Sequence, residues 1–262
     1  MSTQLRYDSR YCAIEYGANG QKLKGNAKMV AKIPLLLVPG LLCNEKLWSH
    51  QIRYLDDIAD VTVVDTLQDD TLSGMAARAL KTAPDRFALG GLSMGGYALF
   101  EFLRQAPDRI EKLAFLDTSG RADTVERTTM RRDLLALAEQ GKFNGISPRL
   151  LPTFLHPDRM NDEALTQAVM AMAAAVGRDA FIRQQKAIMA RPDNLPLLSG
   201  VRVPTLVICG RQDRATPLEM SEEIASGIAG ARLCIIEECG HLASMERPHA
   251  VTALMRDWLL RD

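Results

Sequence analysis

Apolar positions follow two alternating patterns along most of the chain: short unbroken runs, then residues recurring every three or four places. The run IPLLLVPG, ending at Gly40, predicts a strand buried on both faces. Leu47, Trp48, Ile52 and Leu55 then return at helical spacing. VTVVD (61–65) predicts a second strand and Leu72 to Ala83 a second helix. RFALGG (86–91) is a third strand, Met94 to Gln105 a helix closed by Pro107, and KLAFLD (112–117) a fourth strand. Strands alternating with helices imply right-handed crossovers and a mostly parallel α/β sheet with helices on both faces.

The alternation lapses from Ser119 to about Gly200, where only helix signals remain. Met130, Leu134 and Leu137 share one helical face, as do Leu165, Val169, Met172 and Val176. VPTLVICG (203–210), a helix near Leu218 to Gly227, ARLCIIEE (231–238) and a last helix to Leu260 then resume the rhythm. The expected organisation is one α/β core, residues 33–118 and 201–262, interrupted by a helical insertion over 119–200. Residues 1–32 fit three readings: a hairpin around Gly17 to Gly20, a polar leader, or a segment ahead of a start at Met29.

The stretch ALGGLSMGGY surrounds Ser93 with four glycines exactly where the third strand should give way to a helix. A serine on so tight a strand-to-helix turn is forced into strained dihedrals, and glycines two residues either side remove the Cβ atoms that would clash. The turn lifts the hydroxyl to the carboxyl edge of the sheet and leaves the Met94 N–H at a helix start, aimed at an anion. Ser93 is therefore the candidate nucleophile.

A serine hydroxyl needs a base. Of His50, His156, His241 and His249, only His241 falls just past the carboxyl end of a late strand, in ECGHLASMERP. A carboxylate must hold the imidazole, and Asp213, three residues past Gly210, is preferred to Asp117, which is expected to cap its own turn. The second N–H for a developing oxyanion falls to Leu41, after the first strand.

Composition narrows the alternatives. Lys+Arg and Asp+Glu number 32 each, and no basic block stands out, which argues against a nucleic-acid partner. No apolar run approaches bilayer length and the first 30 residues carry no signal-type apolar region, so membrane insertion is not expected. Five cysteines, Cys12, Cys43, Cys209, Cys234 and Cys239, show no metal-type spacing and read as reduced thiols of a cytoplasmic protein. No metal and no organic cofactor is required by this chemistry, and no signal of oligomeric state is present.

GLSMGG, GRQDRATP, CGHLASMERP and PGLL together resemble the α/β-hydrolase superfamily from about Ile33 to Leu260, in particular small bacterial esterases and lactonases. The resemblance implies a helical cap, residues 119–200, inserted between strands six and seven of the family's count. It implies ester or lactone hydrolysis through an acyl-enzyme on Ser93, His241 and Asp213, with Leu41 and Met94 N–H groups as the oxyanion hole. Cleavage of a C–C bond or thioester by the same residues, and a ligand-binding role with little turnover, remain alternatives. Ser93 stands against the dehalogenases and epoxide hydrolases of this fold, which use aspartate there. Two departures stand out: relatives carry His-Gly where this chain has Pro39-Gly40, and DTLQDD after the second strand lacks the usual glycine-rich loop. A Met- and Phe-rich cap over Leu42 and Leu242, including Phe154 and Met172, is expected to make an apolar pocket for a small-molecule ester of short to medium acyl chain.

Overall fold

The computed structural model describes residues 31–143 and 145–261; the expectations for residues 1–30, Cys12 among them, lie outside the described residues. Six strands, β1 (Ile33–Val38), β2 (Ala59–Val63), β3 (Phe87–Leu92), β4 (Ile110–Leu116), β5 (Thr205–Gly210) and β6 (Arg232–Ile236), form one parallel sheet in the order β2-β1-β3-β4-β5-β6. Side chains alternate across it as a pleated strand requires. Leu35 and Leu37 of β1 join one core cluster with Trp48, Leu55, Val251 and Met255. Leu36 and Val38 join the other with Met75, Leu99, Phe102 and Ile224. Helices α1 (Ser49–Leu55) and α9 (Pro248–Leu260) thus cover one face, and α2 (Leu72–Leu80), α3 (Met94–Gln105) and α7 (Leu218–Gly227) the other. Each fully buried Leu or Phe side chain adds about 1.5–3 kcal/mol of transfer free energy.

β2 begins two residues earlier than its apolar run, at Ala59, because Ile33 at the start of β1 pairs with it there. It is an edge strand in which buried or half-buried Ala59, Val61 and Val63 alternate with exposed Asp60 and Thr62, which dilutes the hydrophobic signal.

Between β4 and β5 the chain makes the helical cap: α4 (Val125–Glu139), the short α5 (Leu151–Phe154) and α6 (Glu163–Met189). Thr124 and Asp162 cap the N-termini of α4 and α6 by accepting the N–H groups of Arg127 and Leu165. α6 is two helical arms broken at Gly177, whose φ of 79° and ψ of 175° suit only glycine. The apolar periodicity ended at Val176; the second arm, 178–189, carries Gln184 and Gln185 on its buried face and lacked that signal. A short helix α8 (Ala243–Glu246) precedes α9.

The strand order places the functional loops. The chain leaves β1 in one direction to make β2, then returns to the other side of β1 to make β3, so the loops after β1 and β3 splay apart around a crevice at their carboxyl ends. β4, β5 and β6 follow in order, and Asp117, Asp213 and His241 come after them in turn.

Candidate active site

Ser93 sits between β3 and α3 with φ 56° and ψ −117°, a left-handed conformation that a non-glycine residue adopts only under constraint. The constraint is visible. Its N–H donates to Leu116 O at 3.0 Å and its carbonyl accepts the Thr118 hydroxyl at 2.8 Å. A Cβ on Gly91 would lie 2.6 Å from the Gly95 carbonyl carbon, and one on Gly95 would collide with the Val38 carbonyl. Only glycine lets the turn close against β1.

The three side chains singled out in the sequence meet here. Ser93 Oγ lies 2.8 Å from His241 Nε2, and His241 Nδ1 lies 2.8 Å from Asp213 Oδ2. His241 and Asp213 are buried while Ser93 is half-buried, so the hydroxyl is the end of the relay open to a ligand. Asp213 also accepts the Thr216 hydroxyl on Oδ2, at 2.8 Å, and the Ala215 and Thr216 N–H groups on Oδ1, at 2.8 and 2.9 Å. Those donors satisfy its oxygens although the side chain is buried.

Leu41 lies in the loop after β1 and Met94 directly follows Ser93. Leu41 lines the cavity, and Gly40 packs so closely that a Cβ there would lie 3.4 Å from Ser93 Cβ. Met94 is the first residue of α3. Among the described residues neither N–H has a hydrogen-bond partner, so both donors remain available.

Three buried polar residues that sequence reasoning missed hold this arrangement. Glu246 Oε1 accepts the N–H groups on both sides of His241, from Gly240 at 3.0 Å and Leu242 at 3.2 Å, and Oε2 accepts the cap's His156 N–H at 2.7 Å. Burial pushes its carboxyl above the usual range. Gln184 of α6 accepts the Leu42 N–H. Thr216, three residues past Asp213, touches both Asp213 and His241 Nδ1. The spacings of Glu246, five residues beyond His241, and of Thr216, three beyond Asp213, were local signals; the partners of Gln184 lie 142 and 118 residues away.

Asp117 differs from its expected role as a cap for its own turn. It is fully buried and accepts Gly210 N–H on Oδ1, at 2.8 Å, and Ala243 N–H on Oδ2, at 3.3 Å, so it joins the two loops that carry Asp213 and His241. Desolvation, and next the charge of Asp213, push its carboxyl well up.

A cavity of about 390 Å³ opens over Ser93 and His241. Leu242 and Phe154 line it with Leu41, as expected. Leu42 and Met172 do not: Leu42 turns into the core beneath the loop, and Met172 packs with Leu165, Val169 and Val176 inside the cap. α4 contributes to the wall as well. Met130 and Leu134, which share one helical face, are 53% and 37% exposed and line the cavity. Three arginines, Arg127, Arg131 and Arg214, share its wall, whereas Arg121 is paired with Glu223 and stays out of it.

The sequence profile described as the alpha/beta hydrolase fold matches residues 77–248. The chain belongs to the alpha/beta hydrolase family. Among curated relatives of this alpha/beta hydrolase, the 2-hydroxy-6-oxononadienedioate/2-hydroxy-6-oxononatrienedioate hydrolase of Klebsiella pneumoniae is 28% identical over 97% of the chain and 96% of the relative. Among solved structures, a thermophilic esterase from Thermogutta terrifontis is 28% identical with a TM-score of 0.78, covering 87% of this chain and 89% of that one. The enol-lactonase of Burkholderia xenovorans LB400 shares the fold at a TM-score of 0.79 and 24% identity, over 89% and 94% of the two chains.

Proposed function

We propose that this alpha/beta hydrolase cleaves carbonyl substrates through a covalent acyl-serine. The observation that carries the reading is the relay from Ser93 Oγ through the His241 ring to Asp213, with both links at 2.8 Å. His241 Nε2 takes the hydroxyl proton as Ser93 Oγ bonds to the carbonyl carbon. The carbonyl electron pair moves onto oxygen, which the Leu41 and Met94 N–H groups receive. When the tetrahedral centre collapses, the bond to the leaving group breaks and His241 returns the proton to that group. Water, deprotonated by the same imidazole, then hydrolyses the acyl-serine and restores Ser93. Asp213 holds Nδ1–H throughout and stabilises the imidazolium.

The cavity combines an apolar wall (Leu41, Met130, Leu134, Phe154, Leu242) with a basic one. Asp123 is the carboxylate paired with Arg131, and it also serves Arg191; Arg127 donates to the Ala215 carbonyl, and Arg214 has no partner among the described residues. This lining favours an acyl group of short to medium length ending in a carboxylate. The second reading, C–C cleavage, is favoured by the relatives named as hydrolases of dioates. That chemistry needs one step more: the 2-hydroxydiene first ketonises, so that when the C–C bond breaks its electron pair leaves as a stabilised enolate, which takes the proton from His241.

Turnover of p-nitrophenyl valerate, p-nitrophenyl hydrogen glutarate and a 2-hydroxy-6-oxo-dienedioate tests these readings together. Ser93→Ala must abolish turnover of whichever is accepted, and undiminished activity in that variant refutes the nucleophile. A lower kcat/KM for the glutarate than for the valerate ester refutes the anionic acyl group.

A further inference from the structure

Resting on the acyl-serine reading, we infer that Gln184 is a positioning residue that locks the oxyanion turn from the cap. The turn runs from Gly40 to Cys43, closed by Cys43 N–H on Gly40 O at 3.1 Å. Its third residue, Leu42, has φ 59°, a place that glycine or asparagine usually fills because the central peptide must flip. A leucine there is strained, so the flipped peptide needs a hold from outside the turn. Gln184 supplies it. Its Oε1 accepts Leu42 N–H at 3.0 Å, while its Nε2 donates to both the carbonyl and hydroxyl oxygens of Thr66, each at 3.3 Å. Gln184 is wholly inaccessible to solvent and Thr66 nearly so, so water does not compete for these bonds.

The peptide that Gln184 grips joins Leu41 to Leu42. Its orientation sets the course of the backbone on which the Leu41 N–H is presented to the substrate oxygen. Thr66, beyond β2, anchors the amide from the far side, so the loop after β1, the loop after β2 and the second arm of α6 meet in one buried side chain. Gln184 touches neither substrate nor the reacting atoms. It acts through Leu41, and its removal should therefore weaken stabilisation of the tetrahedral state while leaving ground-state binding nearly intact.

The test compares wild type, Gln184→Met and Thr66→Val, with active sites counted by fluorophosphonate titration so that misfolded material drops out. Gln184→Met keeps the length of the side chain but removes acceptor and donor. The expected result is a fall in kcat of about 10- to 100-fold per titrated site, just short of deleting an oxyanion donor, with KM changed less than about threefold. An alkylboronic acid, which forms a tetrahedral adduct with an activated serine, should lose affinity by the same factor as kcat/KM. Thr66→Val, which removes the hydroxyl acceptor and leaves only the Thr66 carbonyl for Nε2, should move both quantities about 2- to 5-fold in the same direction. A purely structural role would reduce the number of titrated sites but leave kcat per site and boronic-acid affinity unchanged, and that outcome overturns the assignment. If Gln184→Met does not fold, an unchanged Thr66→Val overturns it equally. A wild-type protein that is neither labelled nor active on any of the three substrates defeats the acyl-serine reading itself, and this assignment with it; labelling without sensitivity to Gln184 defeats only the present one.

Discussion

One carboxyl oxygen of Asp117 lies within 4.8 Å of one of Asp213, yet of the two acids only Asp213 bonds the His241 ring. Asp117 spends its oxygens on the Gly210 and Ala243 N–H groups instead. Two neighbouring acids at consecutive strand ends therefore divide the labour, one facing the imidazole and one tying together the loops that bring acid and imidazole into register. Asp213→Asn should lower kcat by about 10³- to 10⁴-fold, because the amide no longer fixes the imidazole tautomer. Asp117→Asn should cost far less activity. Equal losses in steady-state kinetics would show that the two acids had been assigned the wrong way round.

Asp117 also predicts a pH dependence of stability. Its folded-state pKa is raised by burial and by the charge of Asp213, so the folded chain holds a proton at pH values where the unfolded chain has released it. Between the ordinary value of 3.8 and the raised one, unfolding releases that proton, and stability falls as pH rises. Glu246, raised by burial, acts in the same sense. Thermal unfolding followed from pH 4 to 7 should show a shallower decline for Asp117→Asn than for wild type. Parallel curves would mean that the carboxyl is ionised in the fold.

Glu246 joins the His241 loop to the cap through three N–H groups. Glu246→Ala leaves them buried without an acceptor, at about 1–3 kcal/mol for each unsatisfied group before relaxation. Melting temperature should drop by about 2–4 °C per kcal/mol lost in a chain of this size. kcat should fall with it, since Gly240 and Leu242 flank the imidazole. A variant that melts normally but has lost activity would relocate the role of Glu246 to the chemistry.

At Gly177 the backbone takes a conformation that L side chains rarely adopt, and open space surrounds the missing Cβ. Gly177→Ala is thus penalised by torsion rather than by collision, at about 1–3 kcal/mol. Calorimetry should register this as a lower melting temperature. An unchanged value would show that the break between the two arms of α6 shifts freely to another residue.

The thiols near the site should be inert. Burial pushes Cys43 up to about 12 and raises Cys239 and Cys209 as well, so almost none is thiolate at pH 8. Iodoacetamide applied to the native protein should leave Cys43 and Cys239 unmodified by peptide mass mapping, with activity retained. Rapid loss of activity on alkylation would contradict the burial of both.

The order of strands and helices was legible in the sequence because a strand buried on both faces must be almost wholly apolar and its covering helices amphipathic. Ser93 was legible for a related reason: a strained turn needs Gly91 and Gly95, and that local demand is written in neighbouring residues. His241 and Asp213 followed from their places just beyond strand ends, which the fold converts into proximity. Tertiary structure alone decided what each apolar face meets. Periodicity put Met130 and Leu134 on one stripe and Met172 on another, but only packing turned the first toward the cavity and the second into the cap. Gln184 and Glu246 escaped detection, and Asp117 was given the wrong partner, because all three act on backbone groups, which every residue carries. Their partners are chosen by three-dimensional approach, across 142 residues between Gln184 and Leu42 and 93 between Asp117 and Gly210.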